Sequence, residues 1–294
     1  MRIDLHTHSN VSDGTQTPAE LIETAVADGL DVVALTDHDT ATGWDEARET
    51  AERLGIGLVP GMEISTNHQG RGVHLLAYLL DPSYEPLVNE LDRVLAGRSA
   101  RVPRMVQALN ALGIDLTEEE VYAQSEDATA SGRPHVADAL IQRGVVADRT
   151  EAFDRFLSPG RPAFFDRYEV PLDLTLRLVR EAGGVSVMAH PRGRSRGGWP
   201  SESVVAELQA LGLSGIEVDH QDHDPATREA LREIARNLDL IVTGSSDYHG
   251  AGKVDHDLGV NTTDPEQFER LLAAASESAA ASGRVVPTYL PPKK

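Results

Sequence analysis

The stretch DVVALTDHDT, residues 31–40, joins an uninterrupted apolar run to ionisable residues. Its first half, residues 31–35, predicts a strand of the parallel type, because such strands are covered on both faces and lack polar alternation. Asp37 and His38 follow at the end of that strand. In βα folds the carboxyl ends of parallel strands meet at one rim, where functional side chains are normally found.

Similar apolar runs recur on both sides of this stretch and alternate with helical patterns. Further strands are predicted over residues 2–5, 57–61, 73–80, 185–189, 215–218 and 240–243. Helices are predicted over residues 42–54, 172–182, 201–211, 225–237 and 265–276, and another begins after Thr17, where Glu20 completes a capping box. Six or seven βα units predict an α/β fold with a closed or nearly closed barrel.

The alternation stops in the middle of the chain. From about residue 86 to residue 166 we find helical patterns and no strand pattern, with helices predicted over residues 87–95, 102–112, 117–124, 134–142 and 150–156. We therefore predict a small all-helical insertion domain over residues 97–168, set into a barrel that residues 1–96 and 169–294 form.

Composition limits the class of protein and of partner. The 294 residues carry 27 Lys and Arg against 47 Asp and Glu, and the net charge of −20 disfavours binding to duplex DNA or to a membrane surface. The absence of cysteine excludes disulfides and thiolate chemistry. No apolar run approaches the ~18 residues of a membrane span, and the start of the chain does not resemble a signal peptide. We expect a cytoplasmic protein.

Potential metal ligands follow five of the predicted strands or lie close to them. They are His6, His8, Asp13, His38, Glu63, His74, His190, Asp247 and His249, with Asp37 as a further candidate. Each motif alone is equally typical of a buried histidine or a turn. Ionisable groups at five strand ends would make an inert core costly, because unpaired buried charge is unfavourable. Together they predict a metal centre.

The ligand types indicate the metals and the chemistry. Histidine and carboxylate ligands without thiolate suit Zn²⁺, Mn²⁺ or Fe²⁺. A catalytic zinc normally uses three protein ligands, so this number of candidates predicts two to three divalent ions. Close metal pairs suit attack on a phosphoester, because one ion generates hydroxide and the ions together neutralise the developing charge.

Taken in order, these motifs resemble those of the PHP (polymerase and histidinol phosphatase) superfamily. The matching segments are His6-Thr7-His8, Asp13-Gly14, Thr36-Asp37-His38, Gly61-Met62-Glu63, His74, Ala189-His190-Pro191 and Ser246-Asp247-Tyr248-His249. The resemblance covers residues 1–95 and 170–265. It implies a distorted seven-stranded (β/α) barrel with a trinuclear metal site.

The resemblance also implies how the ligands are shared. The first metal would be held by His6, His8, Glu63 and Asp247. Glu63 would bridge to a second metal held by His74 and His190. The third metal would be held by Asp13, His38 and His249, although Asp13 stands where some relatives have a histidine.

Two segments of the predicted insertion resemble a narrower group, the nucleoside 3′,5′-bisphosphate phosphatases and the related 5′–3′ exoribonucleases. They are RSARVPRM, residues 98–105, and GRPHVA, residues 132–137. By this resemblance a second substrate phosphate would be bound by Arg101, Arg133 and His135, at a helix start where free N–H groups attract anions. The two remaining arginines either join this site or lie on a solvated helix face: Arg98 and Arg104.

Other ionisable residues lie near the predicted rim. An anion clamp or a mobile surface loop is predicted for Arg192, Arg194 and Arg196. Four residues in or just after the predicted strand over residues 215–218 are expected to face the rim: Glu217, Asp219, His220 and His223. Two histidines are expected to be plain surface residues: His68 and His256.

We predict a metal-dependent phosphoesterase in which a metal-bridging hydroxide attacks a phosphorylated small molecule, with a nucleotide such as a nucleoside 3′,5′-bisphosphate as substrate. The residues predicted to be catalytic are Glu63, Asp247, His38 and His220, the last as a hydrogen-bond partner of the substrate or leaving group. Three alternatives stay open: an exonuclease acting on short RNA ends, a metal-dependent amidohydrolase and a nucleotide sensor without activity. The amidohydrolase would usually need a strand lysine, and Lys253 is the only lysine before the C-terminal pair.

Overall fold

Eight strands form one mixed sheet in the described residues, 1–193 and 199–293 of the computed structural model. They are β1 Ile3–Asp4, β2 Val32–Leu35, β3 Gly57–His68, β4 Arg71–Tyr78, β5 Val170–Pro171, β6 Val185–Met188, β7 Gly215–Asp219 and β8 Ile241–Gly244. The order is β1-β2-β3-β4-β6-β7-β8, and β5 pairs with β3. The first and last strands approach each other, since His8 N–H donates to the Tyr248 carbonyl at 2.8 Å. The predicted α/β fold with a nearly closed barrel is confirmed.

One pair of strands departs from the βα pattern. β3 and β4 form an antiparallel hairpin, and β4 is also antiparallel to β6. The hairpin turns at Gln69 and Gly70, whose φ values of 52° and 80° are those of a tight two-residue turn. β3 therefore continues past residue 61, where the sequence predicted its end, and β5 was not predicted at all.

Helices cover the sheet and fill the middle of the chain. In chain order they are α1 Pro18–Ala27, α2 Trp44–Leu54, α3 Glu85–Ala100, α4 Val102–Ala111, α5 Glu118–Ala123, α6 Arg133–Gln142, α7 Arg149–Ala152, α8 Leu172–Glu181, α9 Glu202–Leu211, α10 Pro225–Asn237 and α11 Pro265–Ser282. A π-helical turn, Phe153–Leu157, follows α7 inside the segment predicted as one α-helix. The predicted capping box of α1 is present, with Glu20 N–H donating to Thr17 Oγ1. None of the described helices is both long and apolar enough to cross a membrane.

The core follows from the alternation of side chains along the strands. On β2, Val33 and Leu35 pack into a cluster with α1 and α2, whereas Val32 and Ala34 pack into a second cluster with Ile3 of β1. Successive residues of a strand point to opposite faces of the sheet. Both faces are apolar here, so polar side chains gather at the strand ends.

The helices α4 to α7 share a hydrophobic cluster of their own. Its members include Val102, Met105, Leu109, Val136 and Leu140, all of them buried. The helix α3 runs across the predicted boundary at residue 97 and connects this cluster to the barrel. The insertion limits, residues 97–168, stay a prediction.

Candidate metal centre

All nine residues predicted as ligands lie in one cluster, and seven of them follow strand ends, whereas Glu63 lies within β3 and His74 within β4. Donor atoms within 4.8 Å of one another define three overlapping groups: His6, His8, Glu63 and Asp247; His8, Asp13, His38 and His249; and His38, Glu63 and His74. His190, the ninth residue, joins the cluster through its Nε2, which lies 2.9 Å from Glu63 Oε1. Both Asp247 (φ 55°) and His190 (φ 25°) have left-handed backbone conformations, a strain that is typical of functional sites.

Four donor atoms of the first group point at a common position. His6 Nε2 and His8 Nε2 lie 3.1 Å apart, and each is 3.2 Å from Glu63 Oε2. Each is also 3.4 Å from Asp247 Oδ1. Donors bonded to one ion at about 2.1 Å lie about 3.0–3.4 Å apart in octahedral or tetrahedral geometry. The spacing of this group therefore fits a bound divalent ion.

Two further observations support that fit. Asp247 Oδ1 is buried and has no hydrogen-bond partner, which is unfavourable unless a cation binds there. His6 donates its Nδ1–H to Glu217 Oε1 at 3.1 Å, so the lone pair of Nε2 faces the donor group. His249 likewise donates Nδ1–H to the backbone carbonyl of Asp247 at 2.8 Å. Hydrogen bonds of this kind fix the tautomer of metal-binding histidines.

Glu63 links two parts of the cluster. Its Oε2 faces His6 and His8, whereas its Oε1 lies 2.7 Å from His74 Nδ1 and 2.9 Å from His190 Nε2. Burial lowers the pKa of His190 to about 4, so its imidazole is neutral at physiological pH. A carboxylate with both oxygens engaged in this way has the geometry of a bridging ligand.

Asp13 gathers the third set of donors. Its Oδ1 is 3.3 Å from His249 Nε2, and its Oδ2 is 3.7 Å from His38 Nε2. Burial opposes ionisation of Asp13, but His38 and His249 hold its pKa well below the usual range. Burial lowers the pKa of His38 to about 3, which leaves a neutral imidazole with a free lone pair.

The charges of the cluster favour cations. Burial would raise the pKa of Glu63, but His74, His6 and His38 outweigh it and keep that pKa well below the usual range. Burial would lower the pKa of His6, yet Asp247 and Glu63 raise it well above the ordinary value. The carboxylates are thus ionised, and His6 and His8, whose pKa values are raised, compensate part of their charge in the absence of a cation.

Asp37 does not contribute to the donor groups. Its Oδ1 accepts from Ser9 N–H at 2.8 Å and from Ser12 Oγ–H at 2.6 Å, and its Oδ2 accepts from Ser9 Oγ–H at 2.6 Å. Asp37 is therefore a support for the loop that carries Asp13.

Lys253 lies at the centre and was not predicted there. Its ammonium group forms an ion pair with Asp247 Oδ2. Burial would raise the pKa of Asp247, but Lys253 and then His6 hold it well below the usual range. Lys253 occupies a turn that carries no recognisable motif. The one signal in the sequence was that Lys253 is the only lysine before the C-terminal pair.

The histidines near Asp247 form a buried group behind the centre. His220 is fully buried, accepts the Asp222 N–H at Nδ1 and lies 3.3 Å from Asp247 Oδ2 through Nε2. The expectation that His256 is a surface residue is wrong, because His256 is 2% exposed and packs edge-on against His220. His223 is also buried and lies 5.6 Å from His220 between ring centroids.

The other residues predicted near this part of the rim lie in different surroundings. Glu217 faces the centre through His6, whereas Asp219 binds Arg232 at 2.7 Å on the outside of the barrel. His68 is half-buried beside Trp199, with ring centroids 6.0 Å apart, so it too is not a plain surface residue.

A second cluster, of guanidinium groups, lies in the insertion next to the metal-ligand cluster. Arg98 binds Asp39 at 2.8 Å and Ser65 at 2.8 Å, and it is buried. The other members, which we call the arginine cluster together with Arg98, are Arg101, Arg133 and Arg167. Arg167 was not predicted, because it lies outside both insertion segments that carried the resemblance.

The arginine cluster has excess positive charge. Burial and then the neighbouring Arg133, Arg167 and Arg98 lower the pKa of Arg101 to about 8. The buried Nε of Arg101 has no hydrogen-bond partner. Burial and then Arg98 lower the pKa of Arg167 to about 10. Buried like charges and an unpartnered donor are costly unless an anion binds between them.

His135 lies between the two clusters. Its Nδ1 accepts the Gly132 N–H at 3.0 Å, and burial lowers its pKa, so the neutral ring carries its proton on Nε2. A small cavity separates Asp13 and His38 on one side from Arg98 and His135 on the other. The two charged clusters are therefore neighbours.

Two other arginine predictions have different outcomes. Arg104 is exposed and lies over the ring of Phe165, 4.3 Å from its centroid, as expected for a solvated helix face. Arg192 donates from Nη2 to the Pro200 carbonyl at 2.9 Å, and its buried Nε has no partner. Arg194 and Arg196 lie outside the described residues.

A cavity of about 410 Å³ opens over the metal-ligand cluster. One side is formed by cluster members such as His74, His190 and Asp247, and by Lys253. The opposite side belongs to the insertion: Pro134, Arg149, Thr150, Phe153 and Asp154. The cavity over the metal-ligand cluster is therefore lined by both parts of the chain.

The sequence and the fold match known proteins. The profile of the PHP domain matches residues 4–138. A 5′-3′ exoribonuclease of Haemophilus influenzae is 34% identical over 249 residues, covering 84% of this chain and 90% of that protein. A 3′,5′-nucleoside bisphosphate phosphatase of Chromobacterium violaceum is 32% identical over 257 residues, covering 87% of this chain and 90% of that protein.

Similarity extends to a solved structure. The crystal structure of a Bifidobacterium adolescentis protein, assigned as a metal-dependent phosphoesterase, superposes with a TM-score of 0.88 at 39% sequence identity. The superposition covers 92% of this chain and 96% of that chain. The similarity thus includes the barrel, the insertion and the connections between them.

Proposed function

Because this chain belongs to the PHP domain family of metal-dependent phosphoesterases, we propose that it hydrolyses a phosphate ester of a nucleotide, specifically of a nucleoside 3′,5′-bisphosphate. The observation that carries this proposal is the proximity of two sites with opposite charge. A cluster of carboxylates and histidines suits cations, and a neighbouring cluster of buried arginines suits an anion. A substrate with two phosphates on one ribose fits both.

In this proposal the metal ligands are those that the family resemblance implied. Glu63 would bridge the ion that His6, His8 and Asp247 would hold and the ion that His74 and His190 would hold. Asp13, His38 and His249 would hold the third ion. When bound, two or three ions such as Mn²⁺, Zn²⁺ or Fe²⁺ supply an activated water and neutralise the charge that develops on phosphorus.

The chain's own groups bind and orient the substrate. The arginine cluster holds the phosphate that is not hydrolysed, since guanidinium groups bind phosphate through two parallel hydrogen bonds. His135 donates its Nε2–H to the same phosphate. Lys253 carries positive charge to the edge of the cavity, where it neutralises the phosphate that is attacked.

We propose a supporting role for His220 in place of contact with the substrate or leaving group. It is fully buried behind Asp247, so we assign it to positioning that carboxylate rather than to protonating the leaving group. His38, whose side chain is 10% exposed beside Asp13, stays the catalytic candidate on the open side of the cluster.

The relatives support the substrate class. One is named a 3′,5′-nucleoside bisphosphate phosphatase and the other a 5′-3′ exoribonuclease, and nucleoside bisphosphates and RNA both carry phosphate groups on ribose. We propose that residues 97–168 act as the substrate-binding cap and that the enzyme works in the cytoplasm. The net charge of −20 makes duplex DNA and membranes unfavourable partners.

The test compares two substrates that differ in the second phosphate. Arg133→Ala should raise KM for adenosine 3′,5′-bisphosphate by about tenfold to a hundredfold, from the loss of charge-assisted hydrogen bonds. It should leave hydrolysis of a small chromogenic phosphoester unchanged. Glu63→Gln should suppress both reactions. Arg93→Ala, an exposed arginine stacked on Tyr168, is the matched control and should change neither.

Three outcomes would contradict the proposal. An equal loss of both reactions in Arg133→Ala would make the arginine structural. Hydrolysis of short RNA ends with no turnover of the bisphosphate would favour the exonuclease. Hydrolysis of amides but not of phosphoesters would favour the amidohydrolase.

A further inference from the structure

The phenylalanines of this protein are concentrated in one region. Of five in the sequence, four lie between residues 153 and 165, and the fifth is Phe268 in the barrel core. Phe156 is buried in the hydrophobic cluster of the insertion. Phe153 packs against the edge of the same cluster, but it is half-buried and contributes to the wall of the cavity over the metal-ligand cluster.

Phe153 stands beside that cavity at the point where the helix geometry changes. It is the first residue of the π-helical turn that interrupts the helix after Ala152. A π-turn changes the direction of the side chains that follow, and such turns are frequent at functional sites. Among the described residues that line the cavity, Phe153 is the only one with a phenyl ring.

The ring also borders the arginine cluster. The Arg133 guanidinium carbon lies 5.4 Å from the centroid of Phe153 and 5.4 Å from that of Phe164. Phe153 therefore contacts the proposed site of the second phosphate and faces the proposed site of hydrolysis. Phe164 contacts the same guanidinium but is not part of the cavity wall.

We infer that Phe153 is the surface on which the substrate's nucleobase stacks. This inference rests on the proposed function, because it assumes that one phosphate lies at the metal-ligand cluster and the other at the arginine cluster. A ribose between those two points projects its base into the cavity that Phe153 borders. Every nucleobase has a flat π-face, so stacking on one aromatic ring selects for a base without selecting its identity.

A simpler role for Phe153 would be only to hold the Arg133 guanidinium in place. In that role its loss would weaken binding of the second phosphate whether or not a base is present. An abasic bisphosphate separates the two roles, because it keeps both phosphates and the 2′-hydroxyl but has no base. The second aromatic neighbour of Arg133, Phe164, supplies the matched control.

The experiment measures kcat/KM of the metal-loaded enzyme for adenosine 3′,5′-bisphosphate and for 1-deoxyribofuranose 3,5-bisphosphate. Phe153→Ala should lower the value for the nucleotide by about tenfold or more, the usual effect of losing one aromatic–base stack. It should lower the value for the abasic compound no more than Phe164→Leu does, because the two rings lie equally far from the Arg133 guanidinium. Phe153→Trp should retain the preference for the nucleotide. Phe164→Leu should lower both values equally.

The outcomes distinguish this inference from the proposed function. If wild-type enzyme hydrolyses both compounds equally well, or if Phe153→Ala lowers both equally, base stacking is overturned and the phosphoesterase proposal stands. If wild-type enzyme hydrolyses neither compound, the proposed function fails and the base site fails with it. Guanosine and cytidine 3′,5′-bisphosphates should show the same loss in Phe153→Ala, and a loss confined to one base would also contradict the inference.

Discussion

Arg149 Nη1 donates a hydrogen bond of 2.7 Å to the backbone carbonyl of Asp13. The other nitrogens of the same guanidinium bind Asp138 at 2.7 and 2.6 Å. Asp138 belongs to α6 of the insertion, and Asp13 belongs to the loop that carries a proposed metal ligand. One side chain thus connects the insertion to the metal-ligand cluster.

We expect Arg149→Met to weaken binding of the third proposed ion. Without the guanidinium the loop around Asp13 loses its fixed position, and supporting contacts of this kind typically account for about tenfold to a hundredfold in metal affinity or activity. Metal content after dialysis should fall by one ion per chain, and activity should return at high metal concentration. Elemental analysis and metal titration of activity measure both effects.

The control for this prediction is Arg155→Met. Arg155 lies close by in sequence but pairs with Glu151 on the surface, where ion pairs contribute little. Its metal content should equal that of the wild type. Unchanged metal content in Arg149→Met would show that the insertion does not support the loop.

Because Glu63 has a bridging position, we expect its substitution to remove more bound metal than substitution of Asp13. Glu63→Gln removes charge between two proposed ions, whereas Asp13→Asn affects one. Elemental analysis after loading with Mn²⁺ should therefore show a greater deficit in Glu63→Gln. Asp115→Asn, which changes an exposed carboxylate, should bind the full amount. Equal deficits in the two site variants would contradict a bridging role.

Most of the metal-ligand cluster could be predicted because its residues follow strand ends, although Glu63 and His74 lie within β3 and β4. The apolar run at residues 31–35 marks a strand, and the geometry of parallel strands then brings His38 and the equivalent residues to one rim. The capping box of Thr17 and Glu20 is similarly local. Such features depend on residues close in sequence, so the sequence alone contains them.

The structural features that the sequence did not predict depend on contacts between distant segments. An apolar strand has the same pattern in either direction, so the apolar run at residues 73–80 did not by itself establish the antiparallel hairpin of β3 and β4. Lys253 reaches Asp247 from an irregular turn, and Arg167 reaches the arginine cluster from the end of the insertion. The burial of His256 likewise follows from packing against His220, which no local pattern indicates.

The excess positive charge of the arginine cluster predicts that anions stabilise the protein. Sulfate that binds only the folded state at a concentration about 100-fold above its Kd adds about 2.7 kcal/mol of stability. For the chelator-treated enzyme this should raise Tm by about 5 °C. Arg101→Met should abolish the increase. Without sulfate the same variant should melt at or above the wild-type Tm, because one of several mutually repelling buried charges is gone.

Differential scanning calorimetry in sulfate and in chloride at equal ionic strength measures this effect. Arg236→Met, an exposed arginine paired with Glu229, is the control and should keep the wild-type response. An equal sulfate response in Arg101→Met and wild type would mean that the anion binds elsewhere.

The last prediction concerns how His220 acts on Asp247. The Nδ1 of His220 accepts the backbone N–H of Asp222, so its proton resides on Nε2 and is donated to Asp247 Oδ2. This fixes the other oxygen, Oδ1, toward His6 and His8. His220→Leu should therefore reduce metal affinity by about tenfold to a hundredfold. His220→Gln, which keeps an N–H donor at a similar distance from the backbone, should restore most of it.

Two measurements separate this positioning role from proton donation to the leaving group. For a positioning residue, kcat of His220→Leu recovers at saturating metal, and it recovers equally for a nucleotide and for a nitrophenyl ester. A proton donor gives the opposite pattern, because a ribose alkoxide needs a proton on departure and nitrophenolate does not. A kcat that stays low at saturating metal for the nucleotide alone would therefore assign His220 to the reacting atoms, despite its burial behind Asp247.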